Sequence, residues 1–194
     1  MIIGLTGGIG TGKSTVANFF AKFPNIVIYT ADIEAKKLMN SSKIIQEKII
    51  NEFGIDSFLN DVLQRDYLAK IVFNNPEKLS KLNLIVHPEV KKHFQDFVKK
   101  NTNKLFIIYE NAILFESKSN LFCDVIITVF SRLETRIQRV MKRDNVTKQD
   151  VFDRIKNQLS EESKLLQSHY IILNEDLDNT QNQVKNIYKI LTKK

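Results

Sequence analysis

Short apolar segments alternate along the chain with stretches in which apolar residues recur at helical spacing. The apolar segments span residues 2–5, 26–29, 105–109, 125–129 and 170–173. They are rich in β-branched and aromatic residues, which favour β-strands. Strands that alternate with helices form parallel sheets covered by helices on both faces. We therefore predict an α/β fold built on a five-stranded parallel sheet flanked by helices.

The gap between the second and third segments is far longer than an ordinary crossover between parallel strands. Residues 33–100 are predicted to be mostly helical, which indicates an insertion at the carboxyl edge of the sheet that binds a second substrate. Residues 132–167 are charged and helical, and we expect a short mobile lid there that closes on a triphosphate. The nucleotide-binding core would then comprise residues 1–32, 101–131 and 168–194.

Five of the six glycines lie within the first twelve residues. Gly7 to Ser14 matches the Walker A pattern G-x-x-x-x-G-K-[ST], between a predicted strand and a predicted helix that starts near Lys13. The N–H groups of such a loop and the positive end of its helix bind phosphate, the lysine reaches the β and γ phosphates, and the Ser14 hydroxyl can ligate Mg²⁺. We predict a nucleoside triphosphate site that includes Gly8, Gly10, Thr11, Gly12, Lys13, Ser14 and Thr15.

Composition narrows the class of protein. A chain of 194 residues that is 43% hydrophobic can bury one core with an inserted subdomain. Its apolar runs fall short of the roughly 20 residues that span a membrane, and Met1 leads straight into a strand rather than into a secretory signal. We therefore expect a cytoplasmic protein with no membrane partner. The single cysteine, Cys123, excludes an internal disulfide and is expected to be a structural thiol.

The net charge of +7 suits either a nucleic-acid partner or an enzyme whose substrates are polyanions. The lysines are scattered, in pairs such as Lys36-Lys37 and Lys99-Lys100, without the interleaved aromatic and basic residues of an RNA-binding module. We therefore expect no nucleic-acid partner.

Asp32 directly follows the second predicted strand. A carboxylate at this edge of the sheet, facing a phosphate loop, can accept a hydroxyl proton or help to position Mg²⁺. The alternative is an N-cap for a helix that begins near Ile33, because aspartate is favoured at that position. The two roles do not exclude each other.

Arg139 and Arg143 are four residues apart and therefore share one face of a predicted helix. Paired guanidinium groups can contact the oxygens of a transferring phosphoryl group. The alternative is a solvated arginine face paired with Glu134 or Asp144.

The roles of two further polar residues stay open. His87 precedes Pro88 at the predicted end of a helix, where it can donate to a substrate phosphate or merely occupy the end of the helix. Glu110 ends the third predicted strand and can order Mg²⁺ or water, although the usual Walker B pattern of four apolar residues and then Asp is absent. We expect Mg²⁺ to be held by Ser14, Asp32, water and the nucleotide.

Together these residues resemble the dephospho-CoA kinase family, which performs the last step of coenzyme A synthesis, and the resemblance runs nearly end to end. Residues 5–16 resemble its phosphate loop, and residues 31–33 resemble its Asp-Ala-Asp segment. The similarity continues in Leu63-Gln-Arg65, Val72-Phe73, His87-Pro88 and Ile113-Leu-Phe-Glu116, in the lid residues Arg139, Met141-Lys-Arg-Asp144 and Gln158, and in Asn174 near the adenine side.

The resemblance implies a P-loop NTPase fold and transfer of phosphate from ATP to the ribose 3′-hydroxyl of dephospho-CoA, with Mg²⁺ as cofactor. Asp32 would be the catalytic base, while Lys13, Arg139 and Mg²⁺ would neutralise the transferring group. ATP would also be bound by Arg139, Arg143 and Asn174, and dephospho-CoA by Asp32, Lys36, Arg65 and His87. We expect a monomer or small homo-oligomer.

The chain departs from the family pattern at two positions. Thr30 stands where the family has its first Asp, and Ala112 replaces a proline. The Thr30 exchange bears on metal or substrate affinity rather than on the type of reaction. One rival is another P-loop kinase, for a nucleoside, nucleotide or small alcohol, which should lack the Leu-x-Arg and His-Pro signature. A more distant alternative is a non-catalytic nucleotide-sensing or nucleic-acid-binding protein, supported only by the basic charge.

Overall fold

The computed structural model describes residues 1–72 and 75–193. Phe73, which belongs to the predicted substrate-domain signature, lies outside the described residues. In chain order the strands and α-helices are β1 (Ile2–Thr6), α1 (Lys13–Phe20), β2 (Ile26–Thr30), α2 (Ala31–Ser41), α3 (Lys43–Phe53), β3 (Phe58–Leu59), β4 (Val62–Leu63), α4 (Arg65–Val72), α5 (Pro76–Lys100), β5 (Phe106–Glu110), β6 (Val125–Phe130), α6 (Leu133–Asp144), α7 (Lys148–Lys156), α8 (Glu161–Leu166), β7 (Tyr170–Leu173) and α9 (Leu177–Thr192).

The predicted five-stranded parallel sheet is confirmed, with the strand order β2-β5-β1-β6-β7. Each of its strands begins and ends within one residue of the predicted segment. β1 lies at the centre, between β5 and β6, so the loop after β1 and the carboxyl ends of β2 and β5 meet at one edge of the sheet.

The core of the sheet is covered by helices that bury one apolar face each. β1 is buried on both faces, as its unbroken apolar sequence predicts. The helices α1 and α9 pack on the sheet through buried residues at helical spacing, which are Val16, Ala17 and Phe20 on α1 and Val184, Ile187 and Leu191 on α9.

The chain divides into two compact units: Met1–Thr30 together with the chain from Asn103 onward, and Ala31–Thr102. The second unit holds α2 to α5 and a short antiparallel hairpin of β3 and β4, which is absent from the predicted elements. The turn residues Asn60 and Asp61 both have positive φ, 49° and 63°. Asparagine and aspartate tolerate this conformation, and two such residues in succession make the turn that hairpins favour.

The start of α2 corrects one interpretation of Asp32. The helix begins at Ala31 rather than near Ile33, so Asp32 lies inside the first turn and is not the N-cap. A carboxylate in this turn is still stabilised by the positive end of the helix.

The helix α5 corrects the predicted helix end at His87. It runs for 25 residues through Pro88, because Val86, Val90 and Phe94 bury one continuous face. Proline deprives the carbonyl four residues earlier of its partner. Here that residue is Leu84, which is 72% exposed, so water can satisfy its carbonyl. Within the described part of the chain, no helix is both long and apolar enough to cross a membrane.

Candidate active site at the phosphate-binding loop

The phosphate-binding loop joins the carboxyl end of β1 to the start of α1. Gly12 is the N-cap of α1 and adopts a left-handed conformation with φ of 87°, which favours glycine. The amides of Thr15 and Val16 donate to its carbonyl at 3.1 and 3.2 Å. Since the first amides of a helix have no partner within it, this end of α1 can bind an anion.

A cleft of about 320 Å³ opens at this helix end. Its lining residues are Gly10, Gly12, Lys13, Ser14, Thr15, Arg139, Val140 and Arg143. The two arginines both reach the cleft, as their four-residue spacing on α6 predicts. The cleft therefore brings a helix end and three cationic side chains together, which is an arrangement suited to a polyanion.

Lys13 is the first residue of α1, and its ammonium group folds back over the loop. Nζ donates to the carbonyl oxygens of Gly7 and Gly8 at 3.0 and 3.1 Å. These bonds hold the lysine head beside the cleft, where it can exchange a carbonyl for a phosphate oxygen.

Glu110, whose role in ordering Mg²⁺ or water the sequence left open, lies beside the phosphate-binding loop. It is the last residue of β5 and only 6% exposed. Its Oε1 accepts a hydrogen bond from Oγ of the exposed Ser14 at 2.7 Å, and its Oε2 accepts one from the Thr30 hydroxyl at 3.1 Å. An acid that closes the apolar segment Phe106-Ile-Ile-Tyr109 was the sequence signal for this role. The carboxylate orients the hydroxyl that we expect to ligate Mg²⁺.

The two cleft arginines have different partners. Arg139 donates from Nη1 to Ser131 Oγ and from Nη2 to the Asn174 carbonyl, both at 3.0 Å, and so lies along the cleft wall. Arg143 instead forms two bonds to Asp144, at 2.7 and 3.0 Å. Arg143, with help from Arg154, lowers the pKa of Asp144 to about 2. The predicted pairing with Asp144 is thus present for Arg143, while binding of ATP by either arginine stays a prediction.

Asn174 contacts the backbone of the phosphate-binding loop. It is 2% exposed, and its Nδ2 donates to the Thr11 carbonyl at 2.7 Å, while its Oδ1 accepts from the Thr180 hydroxyl at 3.1 Å. A Cβ on Gly12 would collide with Nδ2, so this close approach requires glycine. Asn174 and the fully buried Thr11 thus shape the loop through its backbone. Direct contact of either residue with ATP stays a prediction.

Arg136 belongs to the segment 132–167, which the sequence predicts as a charged lid, yet it contacts the loop. Its side chain is 3% exposed, and its Nε donates to the Ile9 carbonyl at 2.9 Å. Gln158 accepts from the Ile9 amide, also at 2.9 Å. Neither contact has a local sequence signal, because the partners are more than a hundred residues apart.

Four predicted substrate residues belong to the second compact unit. Asp32 and Lys36 are exposed and lie four apart, on one face of α2. Arg65 is the exposed first residue of α4. His87 is half-buried within α5, and burial lowers its pKa. The roles of these residues stay predictions.

Comparisons with known proteins bear on the family and the fold of this chain. Residues 1–179 match the family model of dephospho-CoA kinase. A dephospho-CoA kinase of Fusobacterium nucleatum is 41% identical over 177 residues, which cover 90% of this chain and 89% of that protein. The solved dephospho-CoA kinase of Campylobacter jejuni has a TM-score of 0.70 at 27% identity, covering 98% of this chain and 97% of that one. A solved Thermus thermophilus protein has a TM-score of 0.87 at 27% identity, covering 98% of this chain and 96% of that one. The family match spans nearly the whole chain and confirms the resemblance seen in the motifs, so the chain belongs to the dephospho-CoA kinase family.

Proposed function

We propose that this protein transfers the γ-phosphoryl group of ATP to the ribose 3′-hydroxyl of dephospho-CoA, which yields coenzyme A and ADP. The proposal rests on family membership and on one observation, which is that Lys13, Ser14 and Arg139 line the same cleft at the start of α1. A helix end, an ammonium group and a guanidinium group together are well suited to bind a triphosphate.

In the proposed reaction the 3′-oxygen attacks the γ-phosphorus while the bond from that phosphorus to the β–γ bridging oxygen breaks. The hydroxyl proton passes to the carboxylate of Asp32, and ADP leaves with the bridging oxygen. Negative charge spreads over the transferring group and the leaving oxygen. Lys13 and Arg139 stabilise that charge, and their contacts with the loop and the cleft wall pre-orient them for it.

The residues present fit a magnesium ion that arrives with ATP. Mg²⁺ prefers oxygen ligands and retains several waters. Ser14 supplies a hydroxyl at the cleft, and Glu110 accepts its hydrogen bond at 2.7 Å. We propose Ser14 and Asp32 as its protein ligands, with Glu110 orienting Ser14. When bound, the ion neutralises charge on the phosphate oxygens.

The second compact unit is the proposed binding region for dephospho-CoA. Lys36, Arg65 and His87 can donate to the phosphates of this anionic substrate. Asp32 lies on the same face of α2 as Lys36, so a substrate held by that lysine could present its hydroxyl to the proposed base.

The experiment that tests this function measures ADP release from Mg²⁺-ATP with dephospho-CoA, adenosine, AMP or no acceptor. We expect rapid turnover with dephospho-CoA alone, and coenzyme A carrying a new 3′-phosphate by mass spectrometry. Turnover with a different acceptor would overturn the assigned substrate but retain the assignment as a kinase. ATP binding without acceptor-dependent turnover would overturn the proposal in favour of a nucleotide-binding protein.

A further inference from the structure

We infer that Gln158 and Arg136 are positioning residues that hold the phosphate-binding loop in its binding conformation by clamping Ile9. The inference rests on the proposed function only in that the loop binds the phosphates of ATP. Ile9 lies between Gly8 and Gly10, in the middle of the loop.

The amide, the carbonyl and the side chain of Ile9 each contact the chain between residues 136 and 158. Its amide donates to Gln158 Oε1 at 2.9 Å, and its carbonyl accepts from Arg136 Nε at 2.9 Å. Its side chain packs on a small apolar cluster formed by Ile137, Val140 and Val151. The peptide groups on both sides of Ile9 are thereby fixed from outside the loop.

The loop needs such fixation because of its composition. Glycine loses more conformational freedom on ordering than any other residue, and Gly10 adopts a left-handed conformation with φ of 80°. A loop that is ordered before its ligand arrives does not lose that freedom on binding, so its affinity is higher. The clamp on Ile9 supplies this order from a distant part of the chain.

Arg136 acts through position rather than through its charge. Its Nη1 lies 3.2 Å from Glu161 Oε1, so a carboxylate offsets the guanidinium charge. A Cβ on Gly8 would collide with Glu161 and Arg136, which shows how closely this ion pair packs on the loop. Arg136 is also absent from the lining of the cleft, unlike Arg139. It therefore supports the loop from its outer side.

The segment that carries Gln158 is itself anchored. The amide of Leu159 donates to Glu116 Oε1 at 2.7 Å. Lys164, which is fully buried, donates to the Ala112 carbonyl at 2.9 Å and lies 3.1 Å from the same Glu116 oxygen. These contacts fix residues 159–164 to the chain that follows β5, so Gln158 is presented to Ile9 from a rigid support.

The test replaces Gln158 with methionine, which has a similar shape but no strong acceptor. We expect Gln158→Met to weaken ATP binding by about five- to tenfold in calorimetric titration without acceptor, the scale of one lost hydrogen bond. The KM for dephospho-CoA should not change. Amide exchange at residues 8–11 should accelerate without nucleotide. Gln138→Met, the same change at an exposed position on α6, should leave both measurements as in the wild type.

Gln158→Glu retains an acceptor and should preserve the slow exchange of the Ile9 amide, whatever its added charge does to ATP affinity. Wild-type ATP affinity and exchange in Gln158→Met would overturn the clamp while leaving the proposed function intact. If the wild-type protein itself does not bind ATP, the proposed function fails. The exchange comparison without nucleotide then decides the clamp alone.

Discussion

Thr30 donates its hydroxyl hydrogen to Oε2 of Glu110 over 3.1 Å, while Ser14 occupies the other oxygen of the same carboxylate. The two residues are register partners in the pairing of β2 with β5. The bond orients a carboxylate that is nearly removed from solvent, and that carboxylate in turn orients the Ser14 hydroxyl. Thr30, although it departs from the family pattern, therefore contributes to the site by fixing Glu110.

Thr30→Asp replaces this donor with a second carboxylate and so places two negative charges against each other. We expect a lower melting temperature in the absence of Mg²⁺, because the repulsion has no counter-charge. With Mg²⁺-ATP, turnover should be similar to wild type and the metal affinity equal or higher. Thermal unfolding and a magnesium titration of the rate measure both effects, with Thr102→Asp at an exposed position as the control. A large loss of turnover at saturating Mg²⁺ would instead show that the site is built around threonine.

Lys13→Met should remove most of the activity. The change deletes an ammonium group that is held over the loop carbonyls of Gly7 and Gly8 and that acts on charge developing during transfer. We expect kcat to fall by about 100-fold or more. Steady-state ADP release measures the loss, and Lys22→Met, at an exposed lysine just after α1, should behave as wild type. Turnover within a few-fold of wild type would exclude Lys13 from the catalytic groups.

Asp32→Asn should separate chemistry from nucleotide binding. The amide cannot take the proton of the 3′-hydroxyl, so we expect kcat to fall by about 100-fold or more, as when a general base is lost. The dissociation constant for ATP, measured by calorimetry, should change far less. Asp56→Asn makes the same exchange at an exposed position of the same compact unit and serves as the control. Near-normal turnover would mean that Asp32 only stabilises the first turn of α2.

Cys123 should be inert in the folded protein. Burial, and secondarily the charge of Asp124, raises the pKa of its thiol from 9.0 to about 12. Because this is the only cysteine, a thiol reagent near pH 8 should label the native protein slowly and the urea-unfolded protein rapidly. Fast labelling of the native protein would contradict the raised pKa of Cys123.

The same raised pKa predicts a loss of stability at high pH. The folded state retains the thiol proton of Cys123. The stability linked to this proton is therefore complete below about pH 9 and is lost as the pH rises toward 12. Urea unfolding should therefore show a steeper alkaline decline for wild type than for Cys123→Ala. Parallel declines of stability in the two proteins would mean that the Cys123 thiol does not contribute to the alkaline loss of stability.

Much of the fold could be predicted because its signals are local. The inner strands of a parallel sheet are buried on both faces and need unbroken apolar segments, and such segments marked all five strands to within a residue. The hairpin of β3 and β4 was missed because two-residue strands are too short to show a period. The end predicted for α5 at His87 was wrong because Val86 and Val90, on the buried face, outweighed the local effect of Pro88.

The sequence by itself determined the identity of the phosphate-binding loop. Its glycines, Lys13 and Ser14 lie within one short segment, so the pattern can be recognised without any distant residue. Tertiary structure decided what holds that loop in place. Glu110 meets Thr30 across 80 residues, and Gln158 meets Ile9 across 149. A single acid or amide carries no local pattern, and only strand register and helix packing bring such side chains within hydrogen-bonding distance.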